Sequence, residues 1–173
     1  MVWLAALAAI SVASRLPQLR SPNLLVDGDE SVLGLMAKHL AQGKEFPIFF
    51  YGQHYAFLPV EAVAGALSFH VAGIGPMPLK LAGLGLWTLG VLFLFLAQSR
   101  LVGPPRSFWM TTVLILNPGW AVWSLRAGGG YLTSFVASAM LVWLLVRDRE
   151  RETFVRWLIA GTLTALIYLA QPL

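Results

Sequence analysis

The sequence predicts an all-α, polytopic membrane protein, and three observations carry this prediction. Apolar residues make up 58% of the 173 residues and charged residues only 12%, with a mean hydropathy of +0.73, whereas soluble domains carry about a quarter charged residues. The apolar residues gather in long runs, and most basic residues stand between those runs. This arrangement is typical of membrane-spanning helices that are joined by short loops.

Charge and cysteine content exclude several classes of function. The net charge of +4 does not indicate a nucleic-acid partner, because the basic residues occupy the positions of membrane orientation signals. The chain contains no cysteine, which excludes disulfides and thiolate metal sites.

Five apolar runs are candidate membrane spans, and they predict five transmembrane helices. The first run is short for a bilayer and has no basic residue before it, so we expect the natural chain to begin earlier. The chain also stops directly after its fifth run, which indicates the N-terminal part of a larger protein. The predicted spans cover residues of about 2–16, 78–98, 108–124, 131–146 and 154–170.

The loops predict the orientation of these spans. Residues 98–107 and 147–156 carry six of the twelve Lys and Arg residues, so the positive-inside rule places both loops in the cytoplasm. The outer loop 17–77 and the turn 124–131 are then extracytoplasmic. We therefore expect a multi-pass membrane protein, with membrane lipids as its surroundings.

The outer loop 17–77 is predicted to contain two interfacial helices. Apolar residues at 32, 33, 35, 36 and 40 follow a helical spacing, and Gly43 can end that helix. The stretch 55–73 is long enough to span, but it contains Pro59, Glu61 and His70. If it spanned, the Arg-rich loops would face outwards, so an interfacial or re-entrant helix is the better prediction.

Three carboxylates lie within four positions at the start of the first interfacial helix: Asp27, Asp29 and Glu30. Asp27 as N-cap and Glu30 three residues later match a capping box, and Asp29 adds favourable charge at the positive end of the helix dipole. The same cluster also has the composition of a general base with a supporting acid. The two interpretations are compatible, since one turn can both cap a helix and present a base.

The order of motifs resembles a known enzyme class. "DESVLGLMAKHLAQGKEFP" is followed by "FFYGQHY", by "EAVAGALSFHVAG" and then by "NPGWAVWSLRAGGGY". This order resembles the N-terminal part of the GT-C superfamily of polyprenyl-phosphate-sugar-dependent glycosyltransferases. It is most similar to the family 39-like bacterial relatives of protein O-mannosyltransferases and of the lipid A aminoarabinose transferase.

The resemblance implies an inverting glycosyltransferase of the bacterial inner (plasma) membrane, with a polyprenyl-phosphate sugar donor and a lipid, glycan or protein acceptor. On the matching positions, Asp29 is the general base, and Glu30 supports the base or the acceptor. Asp27 is a third acid, so the assignment of the base could shift by two positions.

Further residues of the outer loop and of the outer turn are candidates for substrate binding. Arg126 beside three glycines suits a lipid phosphate, although an interfacial Arg that snorkels at a helix end has the same pattern. The aromatic and polar residues of "YGQHY" suit sugar hydroxyls, although Tyr is also common in interfacial belts. A glutamate in an apolar helix indicates function unless it is paired. The predicted substrate-binding set is Asp27, Tyr51, Gln53, His54, Tyr55, Glu61, Arg126 and Tyr131.

No metal ligand is assigned from the sequence, but a divalent metal ion is a possible cofactor. Asp29, Glu30 and Glu61 with His54 could complete an oxygen-rich site if the fold brings them together. Lys80 and the glycines of "AGLGLWTLG" are predicted to be an anchor and helix-packing contacts.

Two other functions stay open at this point. A membrane transporter would explain Glu61 and His70 in an apolar, Pro-containing helix, although the internal repeat that is typical of transporters is absent from the sequence. A noncatalytic assembly subunit would retain the fold without the chemistry.

Overall fold

The computed structural model is all-helical, as the sequence predicts. It describes the whole chain except residues 23, 25, 47, 55, 148–152, 172 and 173. Within the described residues the only β pairing is one isolated antiparallel bridge between Phe49 and Phe57. The described helices are α1 (Val2–Ala13), α2 (Leu16–Leu19), α3 (Gly28–Ala41), α4 (Pro59–Ala72), α5 (Pro76–Val102), α6 (Pro104–Leu116), α7 (Pro118–Trp123), α8 (Tyr131–Arg147) and α9 (Phe154–Ala170).

Each predicted span contains helix, with three differences in detail. The run 2–16 is interrupted, because α1 ends at Ala13 and the short helix α2 begins at Leu16. The run 78–98 lies within the longer α5, which continues to Val102, and the connection to α6 is the single residue Gly103 with φ of 82°. The predicted loop 98–107 is therefore mostly helix. The run 108–124 is not one helix, because Pro118 lacks the N–H that helix continuation requires and Asn117 caps the new helix α7 through Gly119 N at 2.9 Å.

Two helical stretches among the described residues are long and apolar enough to cross a membrane by length and composition. They are Val2–Leu19 and Pro76–Val102, of 18 and 27 residues. Three further apolar helices, α4, α8 and α9, have between 10 and 17 residues.

Helix α5 packs against most of the other helices and builds the largest core cluster. Its side chains Trp87 and Val91 are almost fully buried among residues of α1, α6 and α8. Gly90 lets α8 approach closely, since a Cβ there would lie 2.5 Å from the ring of Phe135. Phe135 then stacks on Trp87 with ring centroids 4.9 Å apart. The predicted packing role is therefore confirmed at Gly90, whereas a Cβ on Gly85 would meet no atom of another described segment within 4 Å.

The outer loop folds back onto α5 as a second layer. Helices α3 and α4 pack against each other around Leu33, Met36 and Ala62, which are fully buried. The segment between these helices forms a narrow loop in which Phe50 N donates to Ala56 O and Leu58 N donates to Ile48 O. Phe57 N donates to Leu169 O at 3.1 Å, so the end of α9 lies beside this loop.

Candidate functional site

The N-terminus of α3 carries the predicted capping box. Asp27 Oδ1 accepts from Glu30 N at 2.9 Å, and Glu30 Oε2 accepts from Asp27 N at 3.2 Å. The φ and ψ of Asp27 are those of extended backbone, as an N-cap requires. Asp29 therefore lies in the first turn, where the unpaired amides of the helix favour negative charge.

Glu30 is a buried structural carboxylate rather than a residue open to a substrate. It is 2% exposed, and Lys80 Nζ lies 2.6 and 2.7 Å from its two oxygens. Ala127 N also donates to its Oε1 at 3.2 Å. Lys80 is therefore more than the anchor predicted from the sequence, because it neutralises Glu30. The apolar neighbours of Lys80 gave no signal of this partner.

Arg126 lies in the turn 124–131, the outer turn, and contacts Asp27 and Asp29 at the start of α3, which we call the acidic turn. Its Nη2 lies 2.7 Å from Asp27 Oδ2 and 3.6 Å from Asp29 Oδ2. Its Cζ lies 5.1 Å from the ring centroid of Trp123. The structure thus brings together three of the predicted site residues, Asp27, Asp29 and Arg126, from opposite halves of the chain.

Glu61 is buried and binds the backbone at the start of α8. Its Oε2 accepts from Gly128 N at 2.9 Å, and its Oε1 accepts from Leu132 N and Thr133 N at 3.1 and 3.2 Å. Burial raises the pKa of Glu61, while these amide donors act in the opposite direction. The carboxylate thus caps α8 and holds the turn of residues 128–130, the glycine turn. This positioning role was not predicted from the sequence.

The glycine turn passes directly beside Asp29. Gly128, Gly129 and Gly130 all have positive φ, of 147°, 68° and 76°, which L side chains rarely adopt. A Cβ on Gly128 would lie 3.4 Å from the Cβ of Asp29. The bare backbone therefore lets the turn and the base candidate share one wall of a cavity.

Asp29 lines a small polar cavity of about 240 Å³. It is the only carboxylate among the described lining residues, and its side chain is 58% exposed. Residues with amide and hydroxyl side chains from three separate segments also line it. The lining residues are Asp29, Phe50, Gln53, Ala56, Gly129, Tyr131, Ala170 and Gln171.

Tyr131 also lines a second, larger cavity, whose lining is mostly aromatic. It has a volume of about 490 Å³, within the range of ligand sites in proteins. Trp87 and Trp120 lie with ring centroids 5.2 Å apart, and Trp123 meets Tyr131 edge to face at 5.1 Å. The lining residues are Trp87, Gly119, Trp120, Trp123, Tyr131, Leu132 and Phe135.

The aromatic cavity was not expected from the sequence. Its residues come from α5, α7 and α8, and each aromatic by itself matches an ordinary membrane-helix residue. The break at Pro118 was the available signal, because it turns α7 away from α6 and lets Trp120 and Trp123 face α5 and α8.

The remaining predicted residues lie outside these contacts. The Tyr51 hydroxyl donates to the carboxylate of Glu45, and it lies 3.0 Å from His39 Nδ1. His54 is exposed and does not line the polar cavity. Tyr55 lies outside the described residues. Of the "YGQHY" motif, the described residue that lines the cavity is Gln53.

The oxygen-rich metal site that the sequence left open does not assemble within the described part of the chain. The carboxylate of Glu30 faces Lys80, and that of Glu61 faces the amides of α8. No group of three or more His, Asp or Glu side chains among the described residues could hold a metal ion.

Comparisons with protein-family models, with curated proteins and with solved structures find no match for this chain.

Proposed function

We propose that the protein is a membrane glycosyltransferase that moves a sugar from a polyprenyl-phosphate donor to an extracytoplasmic acceptor. One observation carries the proposal: the Asp29 carboxylate lines a polar cavity that shares Tyr131 with a larger aromatic cavity. A lipid-phosphate sugar needs this pair of environments, a polar one for the sugar and an apolar one for the carrier. Arg126 contacts Asp29 on one side and Trp123 on the other, where the phosphate between the two parts would lie.

The surface of the fold supports a membrane location. Large apolar side chains on α6 and α9 face outwards, with Trp109 67%, Val113 70%, Phe154 81% and Trp157 52% exposed. Trp109 and Val113 are four positions apart on α6, so they share one face of that helix, and exposed apolar faces of this kind are unusual on soluble proteins. We propose five spans with the acidic turn outside and the Arg-rich connections in the cytoplasm, which follows the positive-inside rule.

The chemistry assigns one proton transfer to Asp29. Its carboxylate takes the proton of the acceptor hydroxyl or amine, and the freed electron pair attacks the anomeric carbon from the face opposite the phosphate. The bond between that carbon and the phosphate oxygen breaks, and its electron pair leaves with the polyprenyl phosphate. The configuration of the sugar is therefore inverted. Gln53, Tyr131 and Gln171 provide hydrogen-bond partners for sugar hydroxyls in the same cavity.

Asp27, Glu30 and Glu61 have supporting roles in this mechanism. Asp27 caps α3 and pairs with Arg126, and Glu30 fixes the same turn against Lys80. Glu61 holds the glycine turn beside Asp29. The transporter alternative depended on Glu61 and His70 as residues of a substrate pathway. It is now less well supported, since these residues line neither of the two cavities.

A transfer assay tests the proposal. Membranes that contain the protein would be given radiolabelled polyprenyl-phosphate mannose, glucose or aminoarabinose, and label in endogenous lipid, glycan and protein would be counted. We expect Asp29→Asn to lower the rate by about 10²- to 10⁴-fold, the usual effect of losing a general base. Thermal stability should be nearly unchanged, because Asp29 is exposed and Asp27 provides the cap.

Two variants make this test specific. Glu45→Gln removes an exposed carboxylate outside both cavities and should leave transfer unchanged. Asp27→Asn retains a good N-cap and should lower transfer far less than Asp29→Asn. If transfer survives in Asp29→Asn and is lost in Asp27→Asn, the base is Asp27; if none of the donors is used by the wild-type protein, the proposed function fails.

A further inference from the structure

The loop 46–58, between α3 and α4, is apolar although it lies outside the described helices. Its sequence contains six aromatic residues and no Asp, Glu, Lys or Arg. Phe50 packs inwards against the core that α3 and α4 share. Phe46, Ile48 and Phe49 are 57%, 49% and 39% exposed. We call these three exposed side chains the outer face of the loop.

The outer face continues onto the end of α9. Phe49 pairs with Phe57 across the loop, and their ring centroids lie 6.4 Å apart. Phe57 N in turn donates to Leu169 O at 3.1 Å. Tyr168 and Leu169 are 69% and 43% exposed. The exposed apolar residues of the loop therefore lie beside the exposed apolar residues of α9.

Tyr168 indicates the depth of this surface in a membrane. Helix α9 is apolar, has 17 residues and is one of the proposed spans. A tyrosine near the end of a span is typical of the aromatic belt, in which the ring lies at the level of the lipid headgroups. In the proposed orientation this end of α9 is extracytoplasmic. The loop beside it is then at the outer membrane–water boundary.

The backbone of the loop is paired, as contact with lipid requires. Phe50 N donates to Ala56 O at 3.2 Å, and Leu58 N donates to Ile48 O at 3.1 Å. The amide of Phe57 is bonded to α9. Backbone groups without partners are strongly unfavourable among lipid chains. The loop can therefore present apolar side chains to a bilayer without exposing these amides.

We propose that the outer face of the loop 46–58 inserts into the extracytoplasmic leaflet and binds the lipid surface at the boundary between headgroups and acyl chains. The inference rests on the proposed membrane location of α9, and it assigns a lipid partner to a segment outside the spans. The exposed Lys44 precedes Phe46 by two positions, so its ammonium can reach the phosphates of the headgroups.

The inner side of the same loop belongs to the polar cavity. Phe50, Gln53 and Ala56 line that cavity together with Asp29. Lipid contact on the outer face therefore restricts the movement of one cavity wall. The bilayer thus helps to position the residues that surround the base candidate.

Spin labelling tests the lipid contact. The chain contains no cysteine, so Phe46→Cys, Ile48→Cys and Phe49→Cys each carry a single nitroxide label. With the protein in nanodiscs of phosphatidylcholine and phosphatidylglycerol, power saturation compares collisions of the label with O₂, which concentrates in lipid, and with nickel ethylenediaminediacetate, which stays in water. We expect the ratio of O₂ to nickel collisions at Phe49 to be severalfold higher than at an exposed site in water.

Two reference sites calibrate this ratio. Gln42→Cys is the matched control for water, because Gln42 is exposed at the end of α3, four positions before Phe46. Thr162→Cys reports lipid, since Thr162 is exposed near the middle of α9. Thermal unfolding checks that each labelled protein is folded. If Phe49→Cys does not fold, Ile48→Cys and Phe46→Cys decide by the same criteria.

The outcomes distinguish this inference from the proposed function. A ratio at Phe49 like that at Gln42, with a lipid ratio at Thr162, would overturn the inference while the membrane location stands. A water ratio at Thr162 would remove the membrane location and the proposed function with it. A label at Phe49 that meets neither reagent would show that protein, such as a second copy of the chain, covers the loop, and would overturn the lipid assignment. Lipid contact at Phe49 in a protein that transfers no sugar would support the inference and remove the enzyme assignment alone.

Hydrogen exchange in the same nanodiscs tests the effect on the cavity wall. We expect the double variant Phe46→Ser with Phe49→Ser to exchange severalfold faster over residues 50–58 than the wild-type protein, because the loop loses its hold on the lipid. Leu67→Ser is the control, since it removes an exposed apolar side chain from α4 and should leave this segment unchanged. Equal exchange in the double variant and the wild-type protein would show that lipid contact does not position the wall.

Discussion

Lys80 on α5 and Glu30 on α3 form a buried ion pair between residues that are 50 positions apart in the sequence. Lys80 Nζ lies 2.6 and 2.7 Å from the two carboxylate oxygens, and the residues are 7% and 2% exposed. The same carboxylate accepts from the backbone of Ala127. One ion pair thus connects the outer helix, the long apolar helix and the turn that carries Arg126.

Removing one partner of this pair should be strongly destabilising. We expect Lys80→Met to lower the free energy of unfolding by about 3–5 kcal/mol, because Glu30 would remain buried without its cation. Denaturant unfolding of the purified protein measures the change. Lys44→Met at an exposed position is the control and should stay within about 0.5 kcal/mol. The double variant Lys80→Met with Glu30→Gln should recover part of the loss, and a loss that is the same or larger would contradict this account of the pair.

Replacing Glu61 by Gln should loosen the glycine turn without touching the base candidate. In the wild-type protein one carboxylate oxygen accepts from Gly128 N, and the other accepts from Leu132 N and Thr133 N. In glutamine one of these oxygens is replaced by an NH₂ group, which cannot accept from a backbone amide. At least one buried N–H then loses its acceptor, which costs about 1–3 kcal/mol.

Hydrogen exchange read by mass spectrometry measures this effect. We expect faster exchange in the segment 128–133 and a lower transfer rate in Glu61→Gln, with α3 unchanged. Unaltered exchange in that segment would show that Glu61 does not hold the turn. Glu45→Gln is the control for the loss of a carboxylate at an exposed position.

Binding of the lipid-phosphate donor should be weakened even by the conservative substitution Arg126→Lys. A guanidinium presents several donors in a fixed plane, whereas an ammonium is a point charge. Arg126→Lys and Arg126→Ala should both weaken binding of the lipid-phosphate donor, by roughly tenfold or more, and slow transfer because Asp29 loses its neighbour. An interfacial anchor would instead tolerate lysine, since both side chains can snorkel. Equal donor affinity in all three proteins would remove Arg126 from the site, and Arg106→Lys at an exposed position serves as the control.

The contribution of the Tyr51–Glu45 hydrogen bond to the stability of the outer loop should depend on pH. Partial burial and the hydrogen bond to Glu45 raise the pKa of Tyr51 to about 12, and the bonds from Tyr51 and His39 lower the pKa of Glu45. The Tyr51 contribution to stability is fully present below its unfolded pKa of about 10 and is lost as the pH rises towards 12. The Glu45 contribution is present above its unfolded pKa and is lost as the pH falls through its lowered folded value.

Ultraviolet titration of the tyrosines checks this prediction. One phenolate should form near pH 12, and Tyr51→Phe should remove that step. If every tyrosine titrates near pH 10 in the wild-type protein, the hydrogen bond to Glu45 does not persist in solution.

The local features of this chain could be predicted and its distant pairings could not. The capping box at Asp27 and Glu30 depends on residues three positions apart, and the helices follow from runs of apolar residues. The Lys80–Glu30 pair and the Ala127–Glu30 hydrogen bond join residues 50 and 97 positions apart, and a single sequence contains no record of such distances. For the same reason Glu61 was expected to meet a substrate, although its partners are backbone amides, which carry no side-chain signal.

The cavity that contains Asp29 is completed late in synthesis, by residues at the end of α9. Ala170 and Gln171 complete the wall of the cavity that holds Asp29, and Gln171 donates to the backbone of Gly129. During synthesis the acidic turn emerges more than a hundred residues before this wall. The cavity around the carboxylate is therefore incomplete until α9 has left the ribosome and packed against α8. The nascent protein cannot enclose a substrate before that moment.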